Sequence, residues 1–144
     1  MISGHKILRI IEKMQPVENY IPQRPPFVLI DTVESVSAQA ARTRYTILAD
    51  CPLVTDGVLP LAGLLENAAQ TCAVRAGQAA GNKIGYIGAV KQMQALRLPR
   101  VGETLTTDAV LVQEVLNISL VDCTTRIGDE LIATSTLKLA LTEE

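Results

Sequence analysis

Glu66 and Gln70 stand one helical turn apart in the stretch GLLENAAQTCA (63–73), which is otherwise apolar or small. A carboxylate at i and an amide at i+4 share one face of a helix and can hydrogen-bond. Helices this apolar are normally buried, and a lone carboxylate is costly to bury unless a partner meets it. Glu66 is therefore either a structural group answered by an arginine or by backbone amides, or a carboxylate kept in a site to move protons. Gln70 reads as a helix contact that supports Glu66.

The other candidates are few. Asp50, Cys51 and Asp56 lie in ADCPLVTDG (49–57), just ahead of that stretch. Asp56 could act as a base or activate water, although loop aspartates are also ordinary turn and cap residues. Cys51 has no neighbouring histidine to activate it as a nucleophile. His5 is the sole histidine, and the three cysteines (Cys51, Cys72, Cys123) are widely spaced. Neither a zinc site nor a disulfide framework is expected, and no cofactor is implied. Free cysteines in apolar settings fit a reducing, cytoplasmic location. The net charge of -2, with no lysine- or arginine-rich run, gives no pull toward nucleic acid. No apolar run reaches the ~18 residues of a membrane span, and the N-terminus has no signal-peptide core.

The elements that must position these residues can be read from periodicity. The 144 residues, 48% hydrophobic, fit one domain with a real core. SGHKILRIIEKM (3–14) reads as a short amphipathic helix ended by Pro16, and IPQRPPF (21–27) as a proline-stiffened approach. FVLIDTVESVS (27–37) and ARTRYTIL (41–48) read as strands. A helix from about Leu61 to Ala80 is apolar most of the way round and so enclosed, with Gly81-Asn82 as its stop. Four more strands are expected at 84–96, 104–115, 118–127 and 130–141, with a tight turn at Gly128-Asp129. In the last, Leu131, Ala133, Ser135, Leu137, Leu139 and Leu141 alternate onto one face. This is an α+β chain of about six antiparallel strands and one long helix. Periodicity leaves open whether the sheet curls round the helix or forms a flat two-layer sandwich.

Three stretches bear on that choice. IPQRPPFVLIDTV (21–33) resembles the lead-in segment of hotdog-fold 3-hydroxyacyl-(acyl-carrier-protein) dehydratases, roughly Leu-Pro-His-Arg-x-Pro-Phe-x-x-x-Asp. LLENAAQ (64–70) is similar to their central-helix signature, Glu-x-x-x-Gln. IGAVKQMQALRLPRVGETL (87–105) is similar to their third segment, a glycine-containing strand followed by a basic residue, Pro-Val and Pro-Gly-Asp. The three lie in register over about residues 7 to 141. The resemblance leans toward the divergent members of aryl-polyene and flexirubin-type pigment clusters. It implies a hotdog fold, a curved sheet wrapped round the long helix, usually paired edge to edge as a dimer.

The resemblance also implies chemistry. In that family a loop histidine takes a proton beside the thioester carbonyl, and an acid on the central helix of the other protomer helps the hydroxyl leave. Glu66 falls at the acid's position. No residue matches the histidine: the loop ADCPLVTDG has none, and the lead-in histidine is Gln23. Gly88, with Gly85, would border an acyl tunnel, or simply mark a bulge in a bent strand. Lys91, Arg97 and Arg100 would form a cationic rim for an acidic acyl carrier protein with its phosphopantetheine-linked acyl chain, or a solvated strand edge. Ala69, Ala73 and Ala76 would line a slender tunnel.

Three readings follow from a kept acid and an absent histidine. The chain could be a dehydratase with a substitute base. It could be a non-catalytic or half-catalytic subunit that lends Glu66 to a histidine-bearing paralogue, so that a heterodimer rather than a homodimer is the working unit. It could be a thioesterase in which Glu66 or Asp56 activates water. A partner-dependent dehydratase-like subunit is the reading that uses both features.

Overall fold

The structure, a computed structural model, describes residues 16–80 and 83–143. The helix expected over 3–14 and the Gly81-Asn82 stop lie outside the described residues. A 3-10 turn at Val17–Asn19 precedes six strands and one α-helix: β1 Thr32–Val36, β2 Ala40–Thr46, α1 Leu61–Ala80, β3 Lys83–Ala95, β4 Thr104–Val115, β5 Ile118–Ile127 and β6 Glu130–Glu143. The strands form one antiparallel sheet in the order β1-β2-β4-β5-β6-β3, so β1 and β3 are its edges.

Alternation explains how the sheet turns one face to the helix. In β5, Ser119, Val121, Cys123 and Thr125 are buried; in β4, Leu105, Thr107 and Ala109 are. Side chains of period two point one way, and α1 packs across them. The core divides among a group round Leu59, Leu64, Leu105 and Ile132, one round Ala68, Cys72, Cys123 and Leu137, and one round Ile21, Ile30, Val33 and Val74. A Cβ at Gly63 would overlap the wholly buried side chain of Leu59. Glycine there lets the residues leading into α1 tuck under its first turn.

Three expectations need correction. The first strand does not begin at Phe27; it begins at Thr32, because α1 side chains take the backbone groups of Phe27 and Leu29 in place of a strand partner. In β6 the alternation slips: Thr125 faces Ala133 but Arg126 faces Leu131, which leaves Ile132 as an extra residue in a bulge. Ile132 is fully buried while Leu131 is only half-buried, as expected when a bulge turns a side chain to the other face. Finally, α1 is not enclosed all round. Leu61 and Ala62 are exposed, and Leu65, Glu66, Ala69 and Ala73 are half-buried along one side.

Candidate functional site

The site is built on α1, where burial alternates with partial exposure along the helix. Gln70 is fully buried and uses its whole amide. Its Oε1 accepts from the Leu29 backbone N–H at 2.8 Å. Its Nε2 donates to the Phe27 carbonyl and to Glu66 Oε1, both at 2.9 Å. Asn67 next door donates to the Leu29 carbonyl at 2.7 Å and accepts from the Thr107 hydroxyl at 2.6 Å. The lead-in segment is thus tied to the helix by side-chain amides, as buried backbone groups require.

The consequence for Glu66 is a fixed carboxylate. One oxygen accepts from Gln70, the side chain is half-buried, and no ion pair reaches it among the described residues. Phe27, 57% exposed, is presented at the same place by its carbonyl's bond to Gln70.

The loop ahead of α1 does not deliver a second group to this carboxylate. Asp56 is exposed, in left-handed backbone (φ 53) at a turn bridged by Thr55 and Val58; among the described residues no hydrogen bond or ion pair joins it to Glu66. Cys51 is buried in the core group around Leu59. Burial, and after it the contact with Cys51, pushes the Tyr45 phenol well above its usual range. Cys51 therefore packs as a core residue. Among the described residues there is no cluster of His, Cys, Asp or Glu that could hold a metal ion.

The residues after the helix separate by role. Gly88 sits at a β3 bulge between Ile87 and Ala89, and a Cβ there would make ordinary contact with the Lys138 carbonyl, 3.5 Å away. The bulge has a geometric effect. Ile87 faces Leu139 and Val90 faces Leu137, so residues three apart both lie on the helix side of the sheet. Arg97 is held bidentately by Glu103 at 2.8 and 2.9 Å and by Glu130 at 2.8 and 3.1 Å. These bonds draw Glu103 down to about 2, the Arg97 hydrogen bond acting most strongly. The charge of Arg97 is answered within this triad. Lys91 and Arg100 are exposed and make no ion pair among the described residues.

Sequence reasoning did not find the buried amide and hydroxyl belt of Asn67, Thr71, Thr43, Thr107 and Thr125. Its one visible signal is the recurrence of threonine at alternate, core-facing strand positions. A shallow groove of about 390 Å³ runs along Val17, Pro25, Pro26, Val28 and Ile30; its lining includes neither Glu66 nor Gln70.

A helix bearing a half-buried carboxylate and packed on a six-stranded antiparallel sheet can be set beside known proteins. A profile of the ApeP-like family, described as ApeP dehydratase, matches residues 15–143. The chain belongs to the ApeP-like dehydratase family. Among solved structures it is similar to the dehydratase heterocomplex ApeI:P from Xenorhabdus doucetiae, at TM-score 0.80 and 20% identity over 90% of this chain and 93% of that one. It is similar to Cj0977, a sigma28-regulated virulence protein of Campylobacter jejuni, at TM-score 0.71 and 15% identity over 99% and 93%. A hypothetical thioesterase from Streptococcus pneumoniae, solved with coenzyme A, matches at TM-score 0.67 and 12% identity over 78% and 85%. At these identities the likeness bears on the fold, which is the hotdog fold. No curated protein matches the chain. Family membership thus rests on the profile and the architecture on the structures, and both agree with the expectation from residues 21–33, 64–70 and 87–105.

Proposed function

We propose that this chain is the acid-bearing subunit of a two-chain dehydratase acting on 3-hydroxyacyl thioesters carried by an acyl carrier protein. The observation that carries the reading is Glu66: a half-buried carboxylate held through one oxygen by Gln70, with no cation pairing it among the described residues. A purely structural carboxylate on an apolar helix would be expected to have a cationic or backbone partner. Glu66 has an orienting amide on one oxygen instead.

Dehydration breaks two bonds. A base removes the proton at carbon 2 of the thioester, and the electrons of that C–H bond form the new double bond. The bond from carbon 3 to oxygen breaks as Glu66, acting as the acid, gives a proton to the departing hydroxyl. The products are the 2-enoyl thioester and water. The base is the missing group: the loop before α1 has no histidine, and the sole histidine, His5, lies outside the described residues. A partner hotdog chain supplying a histidine completes the pair, in keeping with the family and with the heterocomplex that this fold resembles. Lys91 and Arg100 suit contact with an acidic carrier, while Arg97 is occupied within its own triad.

The test uses each chain alone and the two mixed, with a 3-hydroxyacyl thioester on its carrier, following the conjugated double bond and free thiol. Activity is expected only in the mixture, and Glu66→Gln in this chain should lower it about 10²–10⁴-fold. A mixture with Glu66→Gln that is as fast as wild type removes the acid role. Thiol release without a double bond would assign the chain to the thioesterases, the alternative for which one similar structure stands.

A further inference from the structure

Cys72 and Cys123 come from distant parts of the chain and face each other inside the core. Cys72 lies midway along α1 and Cys123 midway along β5, and their Sγ atoms are 3.3 Å apart. Each is almost wholly inaccessible, and both pack among Ala68, Ala109, Val121, Leu137 and Leu139. An apolar core has no need of two sulfurs in contact, since alanine or valine fills such a space as well. The third cysteine, Cys51, belongs to a different part of the core.

One turn beyond Cys72 lies a second unusual group. Arg75 is fully buried; its Nη1 donates to the Ala38 carbonyl at 2.8 Å, whereas Nε and Nη2 have no hydrogen-bond partner among the described residues. Its charge acts on the Cys72 thiol in the direction of the thiolate, although the Cys123 hydrogen bond and burial act more strongly the other way and leave that thiol well above its ordinary range. The pair is therefore quiet in the closed fold, with a cation close by to favour thiolate when the core opens.

We propose that Cys72 and Cys123 are a latent dithiol, closed to a disulfide between α1 and β5 by a two-electron oxidant such as a peroxide. The thiolate of one cysteine attacks the peroxide oxygen, giving a sulfenic acid and, after protonation, water. The second thiol attacks that sulfur, the S–S bond forms, and the sulfenic oxygen leaves as a second water. Two thiols and one hydrogen peroxide thus become one disulfide and two waters. The sulfurs need approach only from 3.3 Å to about 2.05 Å. The bond would close a loop 51 residues apart in sequence and pin the helix that carries Glu66 to the middle of the sheet.

The experiment treats the whole folded protein with hydrogen peroxide, then unfolds it in N-ethylmaleimide and records intact mass, linked peptides and melting temperature. The expected result is a loss of two mass units, one maleimide adduct in place of three, and a peptide joining Cys72 to Cys123. Melting should rise by about 10 °C and return on addition of dithiothreitol. Cys51→Ser should keep the rise, and Cys123→Ser, whose untreated melting curve shows whether it folds, should abolish it. Three adducts after treatment, a link through Cys51, or sulfinic acid in place of a disulfide would each overturn the proposal.

Discussion

Gln70 joins three things at one residue: the lead-in segment, the helix and the carboxylate. Replacing it with leucine keeps the volume and removes every bond it makes, leaving the buried Leu29 N–H and the Phe27 carbonyl without partners. Unsatisfied groups of this kind are costly, so Gln70→Leu is expected to lower stability by about 2–4 kcal/mol. Urea unfolding would show this as a lower midpoint with an unchanged slope. A loss below ~0.5 kcal/mol would mean that the segment is held by its apolar contacts. The Glu66–Gln70 pair was legible in the sequence because i,i+4 spacing makes neighbours on any helix. The rest of the network was not. Asn67 reaches Leu29 and Thr107, 38 and 40 residues away, and no local spacing announces such partners. Cys72 and Cys123 were unreadable as neighbours for the same reason.

The elements were legible where one periodicity ran unbroken, and hidden where a side chain or a bulge intervened. The bounds of α1 and the order of the last four strands follow from apolar spacing and, for the final hairpin, from the turn at Gly128-Asp129. The start of β1 could not, because its missing ladder is made by amides from the helix. Nor could the Ile132 bulge, since a slip in pairing leaves no mark on alternation. The salt-bridge triad shows how the elements are tied at their ends. Arg97 follows β3, Glu103 precedes β4 and Glu130 opens β6. Arg97 draws the Glu103 carboxyl from 4.5 to about 2 and also lowers Glu130. A depressed folded-state value means stability that is present above the ordinary carboxylate range and lost as the pH falls through the folded value. Wild type should therefore melt above Glu103→Gln near neutral pH, with the gap narrowing from about pH 4.5 and closing near pH 2. Because the triad lies near the surface, solvent screening should keep the gap small. A gap that is constant across this range would show that the glutamate acts by packing and not by charge.

For the molecule as a whole, the question is what covers the helix side of the sheet at β3. Val90 is 41% exposed although its cross-strand neighbour Leu137 is fully buried. Ile87, placed on the same side by the Gly88 bulge, is 40% exposed. Apolar side chains on the core-facing side of an edge strand are thus left open here, although α1 packs against β3. The side of α1 carrying Leu65, Glu66, Ala69 and Ala73 is likewise half-buried. If a second hotdog chain or the acyl chain completes this site, one of them must lie over that strip. Val90→Lys places a charge there at little cost to the isolated chain, where lysine's long stem can carry its ammonium to water. Its unfolding free energy should stay within ~0.5 kcal/mol of wild type. Sedimentation of the mixture should then show weaker association with the proposed partner chain. If association is unchanged but turnover falls, the strip faces substrate. A Val90→Lys chain that binds its partner and turns over like wild type would place the completing surface elsewhere. A shared active site would then have to reach Glu66 by way of Phe27 and the exposed first turn of α1.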